Sequence, residues 1–316
     1  MLVRAWSDFF QLEVIHGGLF MSASPVRVHI RIQDIATQLF STGTAYASQA
    51  KTIYLWSVFF KVDGTTVQVN SSLNLQGTAT VVGTPGDQGD LPGGVSALYG
   101  VDETTPVSSA LGDYETKLVP ITVPGTSFIV GGIIGYVAIL IFQNNTPANV
   151  VAAGHQALNS AIQQGLDSVI PTLGIKNQNI TQADITNIEN QVTAALTNAI
   201  KNSLSFWDKL GTVLNDEFQD SFIGNAFQYF TYSQLVASPP KLVEIPLNSS
   251  ITVSPPGYGG SPLYIFTFDG KMVADQPPFS LRQVLTFLGH APPTGVRALM
   301  GSSITPSLVA WIDKVL

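Results

Sequence analysis

Four aspartates in this chain are of the type that could hold a metal ion: Asp63, Asp87, Asp90 and Asp102. Asp87 and Asp90 share the loop GTPGDQGDLPGG that runs from Gly83 to Gly94, and Glu103 and Asp113 follow Asp102 downstream. Asp63 stands in an Asp-Gly pair between two strand-like runs, where it could join them from a hairpin tip. Calcium is the ion that suits such a set. It takes roughly six to eight oxygen ligands, and loops at one end of a β-structure can supply carboxylates from several segments. The spacing does not follow the EF-hand rule. Turn chemistry accounts for the same residues without an ion, because an aspartate side chain bonds the local backbone.

The remaining reactive groups are sparse. The histidines are His16, His29, His155 and His290, and none lies in the HExxH spacing that holds zinc on a helix face. His29 falls on the polar side of a strand. His155 in a helix and His290 beside Pro292-Pro293 are expected in surface or turn roles. No GxSxG nucleophile elbow, GxxxxGK[ST] phosphate loop or strand-borne GxGxxG appears, so the familiar hydrolase and nucleotide signatures are missing. The absence of cysteine removes disulfides, thiolate chemistry and Cys-ligated zinc. Asn70, Asn144, Asn179 and Asn248 fall in N-x-[ST] sequons, which acquire meaning only in a eukaryotic secretory pathway.

Charge sets a second boundary. Of 316 residues, only 11% are charged while 45% are hydrophobic, and the formal net charge is −7. Globular chains carry about 25% charged residues. The 14 Lys and Arg are scattered without a basic run, so the phosphate-neutralising patch needed for nucleic-acid binding is missing. Hydrophobicity at this level argues for a folded body.

Elements must then position whatever chemistry there is. Val26, Val28, Ile30 and Ile32 alternate with Arg27, His29 and Arg31, which predicts a strand with one wet face. Lys51 to Val62 (KTIYLWSVFFKV) reads as a more buried strand. Asp63-Gly64 then predicts a type I′ hairpin into Thr65 to Val69. Leu73 to Val82 reads as a third strand, and Lys117 to Val123 as another. The uncharged run Phe128 to Phe142 falls short of the roughly 18–20 residues that span a bilayer, and Gly131, Gly132 and Gly135 suit a bulged or closely packed strand.

A charge-poor helical block follows, at about 146–218. Between Asn145 and Phe206 the only formal charges are Asp167, Lys176, Asp184, Glu189 and Lys201. Val151, Leu158, Ile162, Leu166 and Val169 form one helical stripe. Ile185, Ile188, Val192, Leu196, Ile200 and Leu204 form a second, opened by Thr181 as N-cap. The short connection predicts an antiparallel helical hairpin, with Asn159, Gln163, Asn190, Thr193 and Thr197 away from the stripes. Strand patterns return in Phe227 to Tyr232, Leu242 to Leu247, Ile251 to Val253 and Leu263 to Phe268, with Asp269-Gly270 as a further turn signal. Leu281 to Leu288 and the segment after Thr305-Pro306 read as short helices. Aromatics such as Tyr54, Trp56, Phe59, Phe230 and Phe266 are expected to fill a core.

The pattern predicts an α+β fold: an antiparallel β-sandwich with an inserted α-helical hairpin and short C-terminal helices. Residues 1–25 read as an extension, with Met1 or Met21 as the start. No continuous apolar region of a secretory signal survives Asp8, Glu13 and His16. Residues 26–238 read as the main body and 239–316 as C-terminal strands and helices. The functional expectation is a non-catalytic binding module for a protein or glycan partner. The alternatives are a membrane-active protein using the neutral helices, and a hydrolase whose site forms only in the fold.

Overall fold

The computed structural model describes residues 24–39, 53–84, 103–126, 129–143, 146–173, 221–236, 242–253 and 264–275, together with Asn190, Ala194, Ala195, Asn198 and Asn202. All of them lie in one compact unit, Met1–Gln276; the second unit, Pro277–Leu316, is outside the described residues. The described chain is mostly antiparallel β-sheet with few helices, a β-rich α+β fold.

The alternating segment becomes the long strand β1 (Val26–Leu39). Before the register shift at Gln33 its odd-numbered residues Arg27, His29 and Arg31 face out, while Val26, Val28, Ile30 and Ile32 are fully buried. β1 pairs antiparallel with three strands of the first sheet: β6 (Glu103–Pro106), β7 (Asp113–Leu118) and β14 (Tyr264–Asp275). β14 in turn carries β12 (Leu242–Pro246) and β13 (Ser249–Val253) on its other side.

The second sheet is built from the apolar runs. β2 (Ile53–Val62) and β10 (Ile133–Phe142) are buried on both faces, and they pair with each other along their whole length. β5 (Thr80–Gly83) and β11 (Ser221–Thr231) flank them. Such continuous apolar strands need cover on both sides. One side meets the first sheet: Leu55, Phe59, Ile134 and Tyr136 share a single cluster with Val28, Ile30, Phe266 and Met272. The other side meets the long helix α1 (Ala148–Val169), whose Val151, Leu158, Ile162 and Leu166 pack with Tyr54, Trp56, Val58 and Val137. The run from Ile129 to Phe142 is therefore strand, broken at Gly132. No described helix is long and apolar enough to cross a membrane. Gly135 is required at its position, because a Cβ there would overlap the Gln228 carbonyl oxygen and sit 2.7 Å from the Phe60 ring.

Several expectations are corrected. The hairpin between Lys51–Val62 and Thr65–Val69 does not form. β2 pairs with β10 and β5, while β3 (Val67–Val69) pairs with β4 (Leu75–Gly77). Neither Asp63 nor Gly64 adopts positive φ. The Asp63 carboxylate turns inward and the chain leaves β2, with Gly64 N–H donating to the Val119 carbonyl at 2.8 Å. Asp269-Gly270 is no turn either, since both residues lie inside β14. They stand opposite a register shift in β1 between Ile32 and Asp34. Leu73 to Val82 is two short strands, β4 and β5, because the chain breaks at Gly77, where φ is +135°. The second helix of the block, the loop 85–100, the extension 1–23 and the C-terminal helices lie outside the described residues, apart from the five helical positions named above.

Candidate functional site

Sequence alternation dictates which side chains reach water on the first sheet. On β1 these are Arg27, His29 and Arg31. β7 alternates in the same way, so Lys117, Glu115 and Asp113 stand opposite them in register. On the other side of β1, Asp275, Val273 and Lys271 of β14 complete the rows. Leu242, Glu244 and Pro246 of β12 form the fourth column. Cross-strand neighbours on one sheet face lie close enough for opposite charges to attract.

The resulting surface is a lattice of both signs. Arg31 Nη1 donates to Asp113 Oδ2 at 3.4 Å, and Lys271 Nζ donates to Glu244 Oε1 at 3.3 Å. His29 Nε2 lies 3.9 Å from Asp113 Oδ1, beyond hydrogen-bond reach. Both pairs are substantially exposed, where ion pairs contribute at most about 1 kcal/mol to stability. No aromatic residue belongs to these four columns, and more than half of the charged residues among the described ones do.

Asp63 sits elsewhere and has partners of its own. Its side chain is 0% exposed and forms an ion pair with Lys61 at 2.9 Å. It also accepts the Val119 N–H at 3.0 Å, the Thr65 N–H at 3.1 Å and the Thr65 hydroxyl. Lys61 Nζ donates further to the Lys117 carbonyl at 3.0 Å. Asp87, Asp90 and Asp102 lie outside the described residues. Their downstream companions Glu103 and Asp113 are strand residues, in β6 and β7, and Asp113 faces Arg31. Among the described residues, no three of His, Asp and Glu come together as a metal site.

His155 corrects its expected surface role. It is 4% exposed and stacks on Trp56, with ring centroids 5.1 Å apart and planes inclined by 12°. It follows Val151 by one helical turn, which places it on the buried stripe. Gln163, expected away from the stripe, grips the strand connection instead. Its amide donates to the Ala79 carbonyl at 2.8 Å, and the neighbouring Asp167 accepts the Ala79 N–H at 2.7 Å. Asn159 reaches Gly83, where a Cβ would collide with its amide.

Two buried tyrosines tie the core polar groups together. Tyr136 and Ser249 share a hydroxyl hydrogen bond of 2.5 Å across the two sheets, and Tyr232 donates to the Ser24 carbonyl at 2.8 Å. Burial raises both phenols to about 12; the Ser249 bond opposes the shift at Tyr136. The unfolded phenol titrates near 10, so the stabilising neutral form is fully present below about pH 10 and is lost as pH rises toward 12. Urea denaturation at pH 9 and pH 11.5 is expected to show a loss of a few kcal/mol, reduced in Tyr136→Phe. A pH-independent midpoint would contradict this.

Comparison with protein-family models, with curated proteins and with solved structures finds no match to this chain. The geometry carries the functional argument alone. The missed feature was the four-strand charged face. Its signal was visible in Asp-Tyr-Glu-Thr-Lys-Leu (113–118), a period-two run whose charged positions share one side.

Proposed function

We propose that this protein is a non-catalytic interaction module: a β-sandwich, with a helical hairpin inserted over its second sheet, that docks a partner protein on the outer face of the first sheet. The observation that carries this reading is the gathering of charge on that face in a chain that has so little of it. Apolar packing occupies the inner face of that sheet and both faces of β2 and β10, which leaves this face open to solvent. The rows alternate in sign, which suits a protein surface of complementary mixed charge and gives register as well as encounter rate. An anionic membrane or nucleic acid calls for a patch of one sign. A glycan calls for stacking aromatics, which these columns lack.

The test is charge reversal at Arg27→Glu and Arg31→Glu together, two exposed or half-exposed positions whose replacement spares the core. Purified protein coupled through a photo-crosslinker at Glu115 is exposed to lysate at low and high salt. The expected result is a crosslinked protein that the double variant loses by at least about tenfold and that high salt displaces. Unchanged crosslinking in the double variant would overturn the docking face. Leakage from liposomes by the wild-type chain would move the reading to a membrane-active protein.

A further inference from the structure

Among the described residues, the first sheet ends in an edge that no strand covers. Among the described residues, β12 has a strand neighbour only on the β14 side. The direction of its backbone groups follows from the ladder. Leu247 N–H donates to the Gly270 carbonyl at 3.1 Å, in register with Val243↔Ala274 and Ile245↔Met272. In an antiparallel pair the bonded residues alternate, so the N–H and C=O groups of Leu242, Glu244 and Pro246 point away from β14.

The far end of that edge is already occupied. Gln228 of β11 accepts the Asn248 N–H at 2.8 Å on Oε1, and its amide lies 3.5 Å from the Pro246 carbonyl. Pro246 itself has no N–H. What remains is both backbone groups of Leu242 and both of Glu244. Side chains give a second, independent sign of a missing neighbour. Val243 and Ile245 share a face with Ala274 and Met272, which are 0% exposed, yet they are themselves only partly buried against the same cluster. Leu242, on the wet face, is 55% exposed.

We infer that β12 pairs antiparallel with β12 of a second copy, joining the first sheets of two chains into one. The register decides for a second copy. A two-fold axis at Val243 sets Leu242 opposite Glu244 of the partner copy and the reverse, which uses all four open backbone groups. It brings the two Val243 side chains together on the core side and places no like charges opposite each other. An axis at Glu244 would oppose two carboxylates. The contact is small, so the dimer is weak and depends on concentration. It stands independently of the docking reading, since it uses the sheet's edge and not its face.

Equilibrium sedimentation of the full chain, from about 5 µM to about 500 µM, is expected to show a mass that climbs from one chain toward two. Glu244→Pro removes an outward N–H and the exposed ion pair with Lys271 but no bond to β14, so the β14 ladder survives and the association weakens at least about tenfold, with an unchanged circular dichroism spectrum. Because the chain has no cysteine, Val243→Cys and Leu242→Cys report the register directly. Under mild oxidation Val243→Cys is expected to form a covalent dimer, and Leu242→Cys far less. A single-chain mass at every concentration would overturn the inference, as would an undiminished dimer in Glu244→Pro. Crosslinking of Leu242→Cys in preference to Val243→Cys would refute the register.

Discussion

Replacing Asp63 with alanine is expected to remove about 3–5 kcal/mol of stability, which for a domain of marginal stability is a large part of the whole. The reason is what the carboxylate holds. Lys61 projects from the end of β2 in the second sheet, while the Lys117 carbonyl and the Val119 N–H belong to the end of β7 and the residue beyond it, on the first sheet's side. Asp63 and Lys61 therefore stitch the two sheets at one corner. In Asp63→Ala the ammonium loses its counter-charge at a site where it is 9% exposed, and the Val119 and Thr65 amides lose their acceptor. Lys61→Met is expected to cost less, since Asp63 keeps the Thr65 and Val119 donors. Urea denaturation of both variants measures the difference. An Asp63→Ala protein within about 1 kcal/mol of wild type would show that the corner is not held this way.

The second large effect is Trp56→Ala, expected to cost about 3–5 kcal/mol. Trp56 is fully buried on the α1 side of β2, meets Tyr54 edge-on with centroids 6.1 Å apart, and carries the His155 ring flat against it. Its removal opens a cavity between helix and sheet that neighbouring strands are too rigid to refill. A double-mutant cycle with His155→Ala isolates the stacking contribution, expected at about 0.5–1.5 kcal/mol. A loss below about 1.5 kcal/mol for Trp56→Ala would mean that α1 adjusts to fill the space.

How much of this was legible in the sequence depends on the range of the information. β1 and α1 were readable because Val26, Val28, Ile30 and Ile32, and then Val151, Leu158, Ile162 and Leu166, repeat at the period of their own element. The apolar runs of β2 and β10 were readable as strands, and both turned out to be sealed on two faces. Asp63-Gly64 misled because the pair signals only a local preference. The long-range demand of the Val119 N–H for a carboxylate, joined by the local one of Lys61, overrode it. Asp269-Gly270 misled for a related reason: glycine there answers to the passing Arg31 carbonyl, not to a turn. The charged face could not be read at all as a unit. Arg31, Asp113, Glu244 and Lys271 lie far apart in the chain and become neighbours only through strand register. The polar contacts of α1 share that origin, since Gln163 and Asn159 looked like idle solvent-side residues until β5 arrived beside them.

Gln228 offers one practical handle. Its side chain, borne by β11 of one layer, accepts a hydrogen bond from the Asn248 N–H at the rim of the other. That bond is open to solvent and crosses between the layers, unlike those of its ladder neighbours, whose shelter is internal to their own layer. Its deuterium exchange rate consequently reads out how long Gln228 stays seated on the neighbouring rim, one amide serving as the gauge of that local contact.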